Sequence, residues 1–141
     1  MIRKLKLVDM DKVMCIWLNS NIEAHSFISE KYWRNNFEMV KQVLPKAEVY
    51  VYEDELNGEV QGFIGLEDMY IAGIFVCSER RSQGIGKKLL EHAKSVKSDL
   101  SLNVYEKNEK AVRFYLREDF RVKSKEIDKN TGENEYYMIW S

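Results

Sequence analysis

The chain is poor in the residues that break, cross-link or anchor a fold: one proline, two cysteines and seven glycines in 141 residues. No apolar run approaches the roughly 18 residues that a membrane-crossing helix needs. The opening, Met1-Ile2-Arg3-Lys4, leads into alternation and not into the apolar core of a secretion signal. Cys15 and Cys77 lie far apart and lack the paired spacing of a zinc or redox motif. Both are expected as small buried hydrophobes in a reducing, cytoplasmic compartment, with no metal bound. Neither sign of charge prevails, since 22 basic residues stand against 23 acidic ones. That balance gives no general attraction to nucleic acid or to an anionic membrane. Repeats, low-complexity tracts and linkers are missing too, so residues 1–141 are expected to form a single domain.

What is there patterns well. Ile2–Leu7 alternates as a half-buried strand, and a helix capped by Asp9 or Asp11 follows to about Ser20. Ser29 is placed to cap a second helix that carries Trp33, Phe37 and Val40 and ends near Val43, before Pro45. Three strands come next, Glu48–Tyr52, Val60–Leu66 and Tyr70–Val76, with Asn57-Gly58 marking a hairpin turn. Lys87–Lys97 reads as a helix buried through Leu89, Leu90, Ala93 and Val96, with His92 on the surface. A strand Leu100–Val104, a short helix Lys110–Arg117 and strands Phe120–Ile127 and Glu135–Trp140 complete the chain. The order β-α-α-β-β-β-α-β-α-β-β describes a mixed sheet with helices on its faces, α/β in the broad sense.

The densest signal is Arg81-Ser82-Gln83-Gly84-Ile85-Gly86-Lys87-Lys88, set between a strand and a helix. Glycines at that junction expose N–H groups where the helix begins, and a phosphate fits there. A P-loop is excluded because positions 81 and 88 are Arg and Lys; a dinucleotide fingerprint is excluded because Leu89 stands where its third glycine belongs.

The remaining pattern, Arg-x-x-Gly-x-Gly, resembles the pyrophosphate loop of the GNAT N-acetyltransferases. A second block strengthens the resemblance: Asn103-Val104 on a strand, Asn108, then Ala111 to Phe114-Tyr115 on a short helix, then Phe120. The stretches Ile16-Trp17-Leu18, His25-Ser26-Phe27-Ile28 and Tyr32-Trp33, with the ending Met138-Ile139-Trp140, are similar to small bacterial protein-lysine acetyltransferases of that family. The resemblance implies a mostly antiparallel central sheet flanked by helices. It also implies an acetyl-CoA-dependent enzyme that transfers acetyl to a primary amine by direct attack, with a protein lysine as acceptor. A small-molecule amine or a protein N-terminus is the alternative acceptor. A non-catalytic acyl-CoA-binding module is the alternative of another class. The protein is expected as a monomer or homodimer.

Carried over residue by residue, the backbone of Ile74, Phe75 and Val76 would hold the pantetheine arm. Arg81, Ser82, Gln83, Gly84, Ile85, Gly86 and Lys87 would wrap the pyrophosphate, with Lys88 adding charge. Asn108 would bond the cofactor arm or cap its helix. Tyr115 is the expected acid: the phenol, with pKa about 10, stays protonated and donates to the departing thiolate. His25, Phe27 and Tyr70, with Trp33, either line the acceptor channel or pack as core. The base is left open among Glu67 or Asp68 through water and His25, because Asn103 occupies a place where many family members carry glutamate. An acceptor lysine is neutral only about once in 2,500 at pH 7, so its deprotonation costs nearly 5 kcal/mol unless the site helps. The acceptor face shows no acidic cluster in the sequence. Asp119 replaces the usual glycine after the short helix and is expected in a left-handed conformation, at about 1 kcal/mol.

Overall fold

Apolar residues recur every three or four positions in two early stretches, and both are helices in the computed structural model, which describes every residue except Ser82. Helix α1 spans Met10–Ala24 and α2 spans Glu30–Val43. Ser29 caps α2, its hydroxyl accepting from the Lys31 N–H. Strand β1, Ile2–Lys4, is shorter than its alternation predicts. The Asp9 carboxylate takes the Lys6 N–H and the Arg3 guanidinium, both at 2.8 Å, which turns the chain early and leaves Leu7 and Val8 exposed. Arg3 also holds the Asp9 carboxyl below its ordinary pKa.

The remaining elements are β2 (Glu48–Glu53), β3 (Val60–Glu67), β4 (Tyr70–Val76), α3 (Ile85–Val96), β5 (Leu100–Tyr105), α4 (Glu109–Arg117), β6 (Arg121–Ile127) and β7 (Asn134–Trp140). Their order is the expected one. The seven strands form one mixed sheet, β1-β2-β3-β4-β5-β7-β6, with helices on its faces. Every neighbouring pair is antiparallel except β4 and β5.

That parallel pair decides the architecture. It is held only at Tyr70–Ser101 and Ile71–Leu102. Beyond those residues β4 runs on to Val76 and β5 to Tyr105 without pairing to each other, so the sheet splits toward the C-terminal ends of both strands. A bulge precedes the split: Leu66 pairs with Ile71 and Gly65 with Gly73, leaving Ala72 unmatched and exposed.

Two cores cover the sheet. On one face Leu89, Leu90 and Ala93 of α3 and Tyr115 of α4 pack on Ile64, Leu66, Leu100, Leu102 and Met138. On the other, Val13, Met14 and Trp17 of α1 and Trp33 of α2 pack on Val49, Val51 and Phe63. Three expectations need correction. Val96 is exposed because α3 ends there, and Cys15 is exposed because it occupies the outer face of α1. His92 is half-buried, its ring edge-on to Tyr50 at 4.4 Å. Asp119 does adopt a left-handed φ of 73°, and the Phe120 N–H returns to the Tyr115 carbonyl at 3.0 Å. No helix among the described residues is long and apolar enough to cross a membrane.

Candidate active site

The split exposes backbone on one edge of β4. The Cys77 N–H bonds the Gln61 carbonyl of β3, so in an antiparallel ladder Cys77, Phe75 and Gly73 turn their peptide groups toward β3. Ile74 and Val76 turn theirs the opposite way, into the split. The Val76 carbonyl accordingly takes the Ser20 hydroxyl at 3.3 Å, while no β5 residue pairs with Ile74 or Val76. This narrows the expectation for this strand. Ile74 and Val76 offer open backbone, whereas Phe75 is committed to β3 and contributes a ring that tilts against Phe63 at 5.0 Å. That ring lies over Gly73, where a Cβ would come within 2.4 Å of it.

Past β4 the chain turns through Ser78–Arg80 into the glycine junction. Gly84 has φ of 79° and stands as the N-cap of α3. The first bond within the helix runs from the Lys88 N–H to the Gly84 carbonyl, so the N–H groups of Ile85, Gly86 and Lys87 precede the helical ladder. Gln83 and Lys87 are exposed beside them, and Ser82 lies outside the described residues. Arg81 is already engaged, its guanidinium 2.8 Å from the Glu23 carboxylate at the end of α1. Lys88 lies over the Tyr52 ring on β2, 5.5 Å from its centroid.

Across the split, Asn108 opens α4. Its Oδ1 accepts from the Ala111 N–H, which leaves Nδ2 facing His25 Nε2 at 3.3 Å. The imidazole therefore accepts at Nε2 and carries its hydrogen on Nδ1, which is buried without a partner among the described residues. His25 stacks on Trp33 and meets Tyr105 edge-on, both at 5.1 Å, and Phe27 closes on Tyr105 at 5.7 Å. Burial pushes the His25 pKa down to about 4, so the ring is neutral at pH 7 and a weak proton acceptor. Glu67 and Asp68 sit exposed on the β3–β4 hairpin, at the paired end of β4 and not at the split.

Tyr115 is 8 % exposed, packed between Phe114 and Phe120, and its hydroxyl has no hydrogen-bond partner among the described residues. Burial raises its pKa; the ring belongs to the core that α3 and α4 form on the sheet. The Tyr70 hydroxyl donates to Asn103 Oδ1 at 2.8 Å, and Asn103 Nδ2 donates to Glu126 at 3.3 Å. Burial and the Glu135 carboxylate raise the Tyr70 pKa, with the Asn103 N–H pulling the other way. Both phenols are protonated at neutral pH.

The acidic character of this face corrects the sequence reading. Tyr105 is the cross-strand partner of Glu135, which in turn faces Glu126, and the Tyr105 hydroxyl donates to Asp128 at 2.6 Å. Glu126, Asp128 and Glu135 thus gather around Tyr70 and Tyr105, and none has an ion-pair partner among the described residues. Burial and the two neighbouring carboxylates raise the Glu135 pKa. The three come from a strand, a turn and a second strand, and only the β6–β7 register unites them. No group of three such side chains among the described residues is arranged to hold a metal ion.

The chain as a whole has counterparts among known proteins. Residues 45–122 match the family model of the acetyltransferase (GNAT) domain. The peptidyl-lysine N-acetyltransferase YiaC of Escherichia coli is 32% identical over 124 residues, covering 86% of this chain and 84% of its own. YjaB of the same organism, also a peptidyl-lysine N-acetyltransferase, is 33% identical over 128 residues, covering 90% and 86%. The solution structure of apo YjaB from Escherichia coli shares the fold at a TM-score of 0.88 with 28% identity, over 99% of this chain and 96% of that one. Matched by the family model over more than half of its length and by curated relatives over most of it, the protein belongs to the GNAT family and is an acetyl-CoA-dependent N-acetyltransferase.

Proposed function

We propose that the acetyl acceptor is a lysine side chain of a protein and that it attacks the thioester directly, without a covalent enzyme intermediate. The observation that carries the reading is the polarity of the acceptor face. Glu126, Asp128 and Glu135 are carboxylates, and the hydroxyl hydrogens of Tyr70 and Tyr105 are already committed to Asn103 and Asp128. A donor-rich cation complements such a face, and the rings of Phe27, Tyr32, Tyr70 and Tyr105 suit an alkyl stem. The names of YiaC and YjaB point the same way.

Acetyl-CoA supplies an acyl carbon bound to a thiolate leaving group. On this reading Ile74 and Val76 offer peptide groups to the pantetheine amides, as a strand would. The N–H groups of Gln83 to Lys87 and the Arg81 side chain receive the pyrophosphate, and Asn108 adds its amide. Tyr115 holds a proton at Oη for the thiolate. The acceptor ammonium first loses a proton to solvent through the carboxylate-lined mouth; the C–N bond then forms as the C–S bond breaks. The nitrogen's second proton restores Tyr115, leaving an amide, free thiol and one released proton. Acetylation of three substrates tests the acceptor: a lysine peptide with a blocked N-terminus, a lysine-free peptide with a free one, and a small polyamine. The lysine peptide should gain acetyl fastest, by roughly tenfold in kcat/KM. Preference for either of the others would replace this reading.

A further inference from the structure

Three groups on the acceptor face form a hydrogen-bond chain whose direction is set from one end. Glu126, on the outermost strand, carries a carboxylate that only accepts. Asn103 reaches it with Nδ2 from β5, across the width of β7. The amide must then present Oδ1 on its other side, where the Tyr70 hydroxyl stands 2.8 Å away. An acceptor there obliges Tyr70 to donate. Its hydrogen is spoken for, and what the phenol oxygen has left to offer a substrate is the lone-pair density that the Asn103 backbone N–H does not take.

We infer that Tyr70 Oη receives an N–H of the acceptor amine, and that Glu126 and Asn103 act as positioning residues that fix this polarity. The inference rests on the acceptor lying on this face, as read above. It deepens that reading by naming how nitrogen is selected. A primary amine keeps a hydrogen for Tyr70 while aiming its lone pair at the acyl carbon. A hydroxyl that gives its single hydrogen to Tyr70 gains the same contact but lacks the further N–H groups that the surrounding carboxylates accept. Without Glu126 the Asn103 amide is free to turn over, Tyr70 rotates its hydrogen outward, and donor meets donor. Tyr115, nine-tenths buried, packs with Leu102 and Val104 of β5 in the core on the opposite face of the sheet. The nitrogen is thus received on one face and the leaving thiolate on the other.

The test exploits the direction of the chain. Glu126 is exposed on an edge strand, so its replacement leaves the cores intact. Glu126→Ala should lower kcat/KM for the amine about fivefold, with the KM for acetyl-CoA unchanged. Glu126→Lys puts a group that only donates at the end of the chain and reverses it; the loss should reach roughly fiftyfold. Asn103→Asp in the Glu126→Ala background gives Tyr70 an acceptor of its own and should restore most of the activity. In a Tyr70→Phe background, Glu126→Lys should cost nothing further. The proposal is overturned if Glu126→Lys stays within about twofold of the wild type, or if its loss persists undiminished without the Tyr70 hydroxyl. Butylamine and a blocked lysine peptide are both assayed: turnover of butylamine alone refutes the lysine reading and leaves the network testable. Should neither be turned over, the Asn103 side-chain amide signals are followed by NMR as butylammonium is added. Their movement in the wild type but not in Tyr70→Phe supports the contact, and no movement refutes it.

Discussion

The two parts of the sheet on either side of the β4–β5 split are built to different rules. From β1 to β4 the ladder is continuous, β3 is buried along almost its whole length, and helices cover both faces. The charges there are neutralised in pairs, as in Arg3 with Asp9 and Glu53, or Lys97 with Glu48. From β5 to β6 the outer strand is exposed at every residue, and three carboxylates stand without counter-ions among the described residues. Burial stabilises the first part on both faces; the second is buried on one face, through Leu100, Leu102, Val104 and Met138, and on the other carries three unpaired carboxylates among the described residues. A carboxylate without a partner contributes little to stability, and its presence beside a row of tyrosines is best understood through what binds there. The lesson is that one short parallel contact of two residue pairs joins a part covered on both faces to a part covered on one.

That contrast can be broken most severely in the first part. Leu89→Ala, at a side chain with no exposed surface, should cost about 2–5 kcal/mol, whereas Ile127→Ala on β6 should stay within about 0.5 kcal/mol. Urea unfolding of both variants measures the difference, and equal losses would contradict the division. The His25 contact between α1 and α4 comes next. In the unfolded chain His25 takes up its proton near pH 6.5, but in the folded protein only near 4. The unfolded state therefore binds more protons between those values. Stability from this group is full above pH 6.5 and falls as the pH drops toward 4, by as much as about 3 kcal/mol. In His25→Gln this limb of the urea-midpoint profile should flatten.

On the split itself, Tyr115→Phe should reduce kcat at least tenfold, about 1.4 kcal/mol, while calorimetry finds acetyl-CoA binding unchanged. An unaltered kcat would remove Tyr115 from the chemistry. The smallest effect is expected at the Arg81–Glu23 pair, which is half exposed and worth at most about 1 kcal/mol. If the cofactor pyrophosphate competes with Glu23 for Arg81, Glu23→Gln should tighten acetyl-CoA binding by a few-fold, and that gain should shrink at high salt.

Local pattern made much of this legible beforehand. The glycine junction, the Ser29 cap, the Asn57-Gly58 hairpin and the left-handed Asp119 each depend on a few adjacent residues, and each stands as expected. What adjacent residues do not fix is decided by a distant partner. Phe75 looked equivalent to Ile74 and Val76, but pairing with β3 turns its peptide groups away. For His25 it is burial beside Trp33 and Asn108 that makes the ring an acceptor of low basicity. Glu126, Asp128 and Glu135 carried no visible significance while their register was unknown.

The sequence by itself determined the order of elements and the glycine turn at Gly84, because periodicity and turn chemistry are properties of neighbouring residues, and it pointed to the family through its resemblance to known motifs. Only the tertiary structure decided where the sheet parts, which two residues of β4 keep their peptide groups open, and that three carboxylates meet two tyrosines. Those outcomes depend on strand order and register, which fix the partner of each residue from the far end of the chain.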